Sequence, residues 1–266
     1  MWPVPRWIWA TCALAAAASA GCQSSRPYPL DIATTSSVQN SGLLDALLPA
    51  YREQTGTDVR VHAAGSGRAL QMMAEGLVQL VISHAPEAEA LALARHPEWV
   101  RLELAHNQFV IVGPSADPAG VRTAEHAADA FRRIAQSRVP FVSRADQSGT
   151  HERETSLWHA AGIRPPPERL IASGRGMALA LRHADELRAY TLSDEATYRQ
   201  FEGELELQLL YEGDTRLLNR YAVIYPSSDA AASRLASWLV GDEGRERIGG
   251  FRIGGKAMFT VPESRY

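Results

Sequence analysis

Read for polarity, the chain repeats one unit. A short aliphatic or β-branched run gives way to a turn of Gly, Ser and Thr, and an apolar spacing of 3.6 residues follows. Residues 30–33 make the first run, ahead of Thr34, Thr35, Ser36 and Ser37. Leu43, Leu44, Leu47, Leu48 and Tyr51 then recur at helical spacing from about Ser41. Pro49 is set to kink that helix and Gly56 to end it. A strand over 59–63 leads into Ala64-Gly65-Ser66-Gly67 and a helix through Leu70, Met73 and Ala74. A third strand over 77–82 ends at Ser83-His84-Ala85-Pro86 before a helix over 87–94. Strands over 100–104 and 109–112 follow, and Gly113-Pro114 breaks the pattern.

The second half repeats the theme. A helix over 123–136 precedes a strand over 139–142, which enters the turn Ser143-Arg144-Ala145-Asp146-Gln147-Ser148-Gly149-Thr150-His151. Leu157, Trp158 and Ala161 then mark one face of a helix. Strands over 170–173, 189–192 and 205–211 alternate with helices over 178–183 and 194–201, the first opened by Gly174-Arg175-Gly176-Met177. Residues 221–225 are apolar and β-rich, and helices over 229–240 and 243–248 close the chain. Such alternation predicts a parallel-rich α/β architecture. In such sheets ligands sit outside the carboxyl ends of the strands, where every donor-rich turn lies. We expect two lobes, residues 30–112 with 221–266 and residues 113–220, closing on a shared cleft.

The turn 143–151 carries the most chemistry. Ser148 stands where a helix N-cap would, and Glu152 and Glu154 load the first turns with acid. The turn sets Arg144, the hydroxyls of Ser148 and Thr150 and free N–H groups, that of Gly149 among them, around the positive end of a helix dipole, which makes an anion site. Thr35, Ser36 and Ser66 supply further hydroxyls from the other turns. A fully deprotonated anion offers only acceptors, so this donor set matches it and a facing carboxylate would not. Asp146 is assigned to orienting Arg144 or capping the turn, and Arg175 is read as an exposed arginine or else as one that adds charge near the anion.

Composition narrows the classes. The 266 residues are 45% hydrophobic, enough for one or two cores, and the net charge of -3 lacks the basic footprint of a nucleic-acid partner. Arg6, an apolar run over 7–18 and small residues before Cys22 make residues 1–21 an export signal, too short to span a membrane. Residues 22–29 read as a tether. Cys12 lies in the signal, so an acylated Cys22 leaves no thiol for a disulfide. No Gly-x-Ser-x-Gly elbow accompanies Ser148 or Ser66, which counts against a serine hydrolase. The eight histidines are scattered, which counts against a metal site. No cofactor is expected. His84 is read as a buried hydrogen-bonding residue.

Taken together, the segments resemble the tungstate-binding proteins of ABC transporters, a branch of the two-lobed type II periplasmic solute-binding proteins. Ala33-Thr34-Thr35-Ser36-Ser37 with Ser41-Gly42-Leu43-Leu44-Asp45, and Gly65-Ser66-Gly67, match family turns hydroxyl for hydroxyl. His84-Ala85-Pro86, the run 109–114, Asp117-Pro118-Ala119-Gly120, Ser143-Arg144, Asp146 and Ser148-Gly149-Thr150-His151 continue the match. Tyr190-Thr191-Leu192, Glu212-Gly213-Asp214 and Trp238-Leu239 extend it toward the C-terminus. Val78-Gln79 and Arg175 depart from the pattern. The resemblance implies an extracytoplasmic receptor, not an enzyme, that presents tungstate to a permease. Separately, Cys22 after small residues resembles a bacterial lipoprotein cleavage site, which implies a lipid anchor on Cys22; the alternative is an unlipidated exported protein with one free thiol. Molybdate and phosphate are the alternatives on the same fold. In phosphate-binding relatives the aspartate of a similar turn accepts a proton from the ligand, so the setting of Asp146 bears on that choice.

Overall fold

The computed structural model describes residues 29–174 and 176–263. The export signal, Cys22 and Arg175 lie outside the described residues.

The first half builds β1 (Leu30–Thr34), α1 (Ser36–Asn40), α2 (Leu43–Thr55), β2 (Val59–Ala63), α3 (Ser66–Ala74), β3 (Leu80–Ser83) and α4 (Pro86–Arg95). β4 (Trp99–Gly113) is one strand of 15 residues where the hydrophobic pattern suggests two. The second half adds α5 (Ala127–Gln136), β5 (Phe141–Ser143), α6 (Gly149–Ala161), β6 (Leu170–Ala172), α7 (Met177–Glu186), β7 (Tyr190–Asp194), α8 (Glu195–Phe201) and β8 (Gln208–Tyr211). The chain then returns through β9 (Leu218–Pro226), α9 (Ala230–Val240), α10 (Asp242–Gly250) and the hairpin β10 (Arg252–Ile253) and β11 (Lys256–Ala257).

Several boundaries follow from local chemistry. The hydroxyl run after β1 is not an open turn. Thr35 caps α1 by accepting the Val38 amide, and Ser36 and Ser37 are helical. α2 runs on through Pro49 and stops at Gly56, whose left-handed φ of 67° suits glycine. The fifth helix begins at Ala127, not Thr123, because His126 caps it through the Asp129 amide.

The strand order is β2-β1-β3-β9-β4-β7-β5-β6, with β8 also on β4. β1, β2 and β3 run parallel, as do β5, β6 and β7. β4 is antiparallel to both its main partners and so joins the halves. It pairs β9 from Trp99 to Gln108 and β7 from Phe109 to Val112. The exchange of partners thus falls between Gln108 and Phe109, ahead of the Gly113-Pro114 break.

Each half has helices on both sheet faces, so both sides of its central strands are apolar. Successive strand residues point to opposite faces. Ile32, Ile82 and Val223 join α2 and α9 in one core, while Ala33, Val81 and Ile224 join α3 in another. In the second half Phe109, Ile111 and Phe141 pack with α5 and α6, whereas Val110, Val112 and Val142 pack with α7. Phe131, Phe141 and Trp158 form an aromatic knot with ring centroids 4.3–5.5 Å apart. Two separate pairs of cores make two lobes, and β4 and β9 connect them.

Candidate functional site

The turn after β5 is built around strain and capping. Ala145 and Gln147 both take left-handed backbone, with φ of 46° and 57°. Conformations of this kind cost non-glycine residues about 1–3 kcal/mol each and cluster at ligand sites. Ser148 caps α6 by accepting the His151 amide at 3.3 Å. Asp146 accepts the Ser148 amide at 3.1 Å through one carboxylate oxygen and Arg144 Nη2 at 2.6 Å through the other. That guanidinium and the Ser148 contacts hold the Asp146 carboxyl below its usual range, although burial pushes it up. Asp146 therefore orients Arg144 and closes the turn.

Arg144 is 2% exposed. Nη1 lies 3.5 Å from Thr150 Oγ1, at the margin of hydrogen bonding, and 3.4 Å from the Met177 sulfur, a weak acceptor. Nη2 also reaches Ser36 Oγ of the first lobe at 3.4 Å. Nε has no hydrogen-bond partner among the described residues. Ser66 Oγ, on a residue 0% exposed, is likewise without one, and so is Ser37 Oγ. Buried donors are normally paired, so each of these calls for an explanation.

The corners of the two lobes meet. A methyl group added at Gly65 would stand 3.2 Å from the Asp146 carbonyl oxygen and 3.8 Å from the Ser148 nitrogen. One added at Gly176 would stand 3.2 Å from Ser36 Oγ. At Gly149 it would fall 2.3 Å from the His84 carbonyl oxygen, a clash with main chain of the opposite lobe. Thr35, Ser66, Arg144, Ser148, Gly149 and Thr150 are all buried here, and Ser36 is half-buried. Thr35 is engaged as the α1 cap. Thr197 of the second lobe donates to the Ser37 carbonyl at 3.2 Å, fastening α8 to α1.

The ionisable groups around this junction are held close to neutral or paired. Burial pushes His84 down to about 4. Its Nδ1 lies 2.9 Å from Asn219 Oδ1. Asn219 Nδ2 donates to Asn107 and to Tyr221, so its oxygen faces His84 and the imidazole proton sits on Nδ1. Glu154 accepts the Arg144 amide and the Trp158 indole N–H, and burial pushes it up to about 7. Asp194 caps α8 through the Thr197 amide, and its carboxyl is raised by burial.

Sequence reasoning reads Glu154 only as an acid near a helix start and does not find Asp194, Asn107 or Asn219. The available signal is slight: Asn107 sits in the polar run His106-Asn107-Gln108 and Asn219 beside Arg220, and only the structure shows that the two are register partners across β4 and β9. Among the described residues no group of three His, Cys, Asp or Glu side chains could hold a metal.

Two α/β lobes meeting over a lining of hydrogen-bond donors define a solute-binding protein of the periplasmic type. The chain belongs to the PBP superfamily, whose domain matches residues 28–243. It is 35% identical over 240 residues to the tungstate-binding protein TupA of Peptoclostridium acidaminophilum, covering 87% of this chain and 83% of that one. Among solved structures, the tungstate ABC transporter protein of Geobacter sulfurreducens matches with a TM-score of 0.77 at 36% identity, over 84% of this chain and 99% of that one. The tungstate-binding protein TupA of Desulfovibrio alaskensis G20 matches with a TM-score of 0.71 at 37% identity, over 88% and 99%.

Proposed function

We propose that this chain is the extracytoplasmic receptor of an ABC importer and captures a tetrahedral oxyanion, tungstate. It has no catalytic role in this reading. Its lobes, with the first crossing between Gln108 and Phe109 and not after Val112, close on the anion and present it to a permease. Thr35, Ser36, Ser66, Arg144, Ser148, Gly149 and Thr150 supply the contacts, and Asp146 orients Arg144. A lipid on Cys22 tethers the receptor to the membrane. One observation carries the proposal: Arg144 Nε and Ser66 Oγ, buried donors from opposite lobes, have no partner among the described residues. Satisfying a buried donor with a charged acceptor contributes about 1.5–3 kcal/mol. The relatives named above support tungstate as that acceptor.

Asp146 favours tungstate over phosphate. A phosphate that retains a proton needs an acceptor for it, and Asp146, with one protein donor on each oxygen and its carboxyl held below the usual range, is a weak one. Calorimetric titration with tungstate, molybdate, phosphate and sulfate tests the reading. Tungstate and molybdate should bind tightly and phosphate weakly. Absence of tungstate binding, or tighter binding of phosphate, would overturn it. Mass spectrometry of the mature N-terminus decides the lipid on Cys22.

A further inference from the structure

α4 begins without a side-chain cap of its own. Ala85 stands at the cap position, and Pro86, the first helical residue, has no N–H to offer. The first amide in need of a partner is that of Glu87. It donates to a Glu152 carboxylate oxygen at 3.0 Å. Glu152 belongs to α6, on the other lobe, so an acid of one lobe caps a helix of the other. One turn earlier on α6, Gly149 lies so close to His84 that a methyl group would meet its carbonyl oxygen at 2.3 Å. The start of α6 therefore meets the corner between β3 and α4 twice, once by shape and once by charge. Through its ring, His84 joins Asn219 on β9, and Asn219 joins Asn107 on β4. The corner is thereby tied to the two strands that pass between the lobes.

We infer that Glu152 determines closure: by capping α4 from across the cleft, it sets the fraction of molecules already closed before an anion arrives. A capping acid acts through the amide it satisfies and through the helix dipole. Apparent affinity falls in proportion to the competent fraction, so Glu152 tunes anion binding without touching the anion. The inference rests on the receptor reading proposed above.

The test titrates sodium tungstate into the purified exported protein and its Glu152→Ala and Glu152→Gln variants. Without tungstate, amide hydrogen exchange is followed in parallel at Glu87 and at Ala88, the next amide of α4 and one that also faces the Glu152 carboxylate. Loss of a cap corresponds to about 2- to 30-fold. Glu152→Ala should weaken tungstate binding by that factor and speed exchange at both amides. Glu152→Gln, whose side-chain oxygen can still accept, should recover most of both. Unchanged exchange at Glu87 and Ala88 in Glu152→Ala overturns the inference, and so does equal loss in the two variants. Should the wild-type protein bind no tungstate, the receptor proposal falls, and the exchange comparison still decides the latch.

Discussion

Arg144→Ala takes the guanidinium out of the turn and leaves Asp146 behind. Of the donors of Arg144, Nη2 is committed to Asp146 at 2.6 Å. Nε is unpartnered among the described residues, and Nη1 has only marginal contacts at 3.4 and 3.5 Å. Two donors are therefore available to a ligand. At about 1.5–3 kcal/mol for each bond to a charged acceptor, the gross loss is about 3–6 kcal/mol. Water entering the vacated space restores part of this. The net loss should fall at about 2–5 kcal/mol, the range for truncating one partner of a buried charged contact. In affinity that is roughly 30- to 5,000-fold. Calorimetry with sodium tungstate at fixed ionic strength measures it, and urea unfolding alongside separates lost binding from lost fold. Arg144→Lys sharpens the test, because an ammonium keeps the charge but not the planar fork. It should fall between wild type and alanine. Alanine within twofold of wild type would refute the assignment. Lysine equal to wild type would show that the unpartnered Nε contributes nothing.

Three further outcomes follow from the packing and the charges. Gly149→Ala places a methyl group 2.3 Å from the His84 carbonyl oxygen in the closed arrangement. At the usual cost of overpacking, about 1–3 kcal/mol, tungstate affinity should drop roughly 5- to 150-fold, and an unaltered affinity would show that the lobes close differently. Trp158→Ala, which empties the aromatic knot beside Phe131 and Phe141, should cost about 3–5 kcal/mol in urea unfolding, and a loss below about 1 kcal/mol would contradict the packing. Glu154 is raised to about 7, so the unfolded chain releases this proton first, and its contribution to stability is whole below about pH 4.5 and lost as pH rises to 7. The stability of Glu154→Gln relative to wild type should therefore climb by about 1.4 kcal/mol per pH unit across that window, and a flat difference would place the Glu154 proton elsewhere.

What the sequence discloses divides by range. The turn 143–151 is legible because its chemistry is local: Ser148 and the amide it caps lie three residues apart. The helical spacing of Leu43, Leu47 and Tyr51 likewise reports a face that is buried. β4 is different. Its pattern lapses between Leu104 and Phe109, where His106, Asn107 and Gln108 intervene. The strand runs on regardless, because β9 pairs with it across the gap and Asn219 donates to the buried Asn107 Oδ1. No neighbour in sequence announces that partner. Glu152 shows the same limit. At the start of a helix it reads as an ordinary dipole-matching acid, yet its carboxylate is spent on Glu87 of the other lobe. Local signals give caps, turns and amphipathic faces, whereas contacts across a cleft depend on how the lobes sit together.

The charges at the junction decide what kind of selectivity it can have. Arg144 is offset by Asp146 at 2.6 Å. His84, depressed to about 4, is neutral at physiological pH. Burial pushes the carboxyls of Glu154 and Asp194 toward their neutral forms. An incoming dianion thus meets little net positive charge. It must be held by directed donors: the amides at the start of α6, the hydroxyls, and the free edge of the guanidinium. A point charge attracts any anion of the right sign, but directed donors reward only lone pairs placed where they aim. They also penalise a ligand proton, which would face another donor and leave two hydrogens without acceptors. At Asp146 such a proton would have to share an oxygen with the donor from Arg144 or from the Ser148 amide. The pairing that neutralises the guanidinium also holds the Asp146 carboxyl below its usual range, and so makes it a poorer acceptor for the proton of a protonated anion.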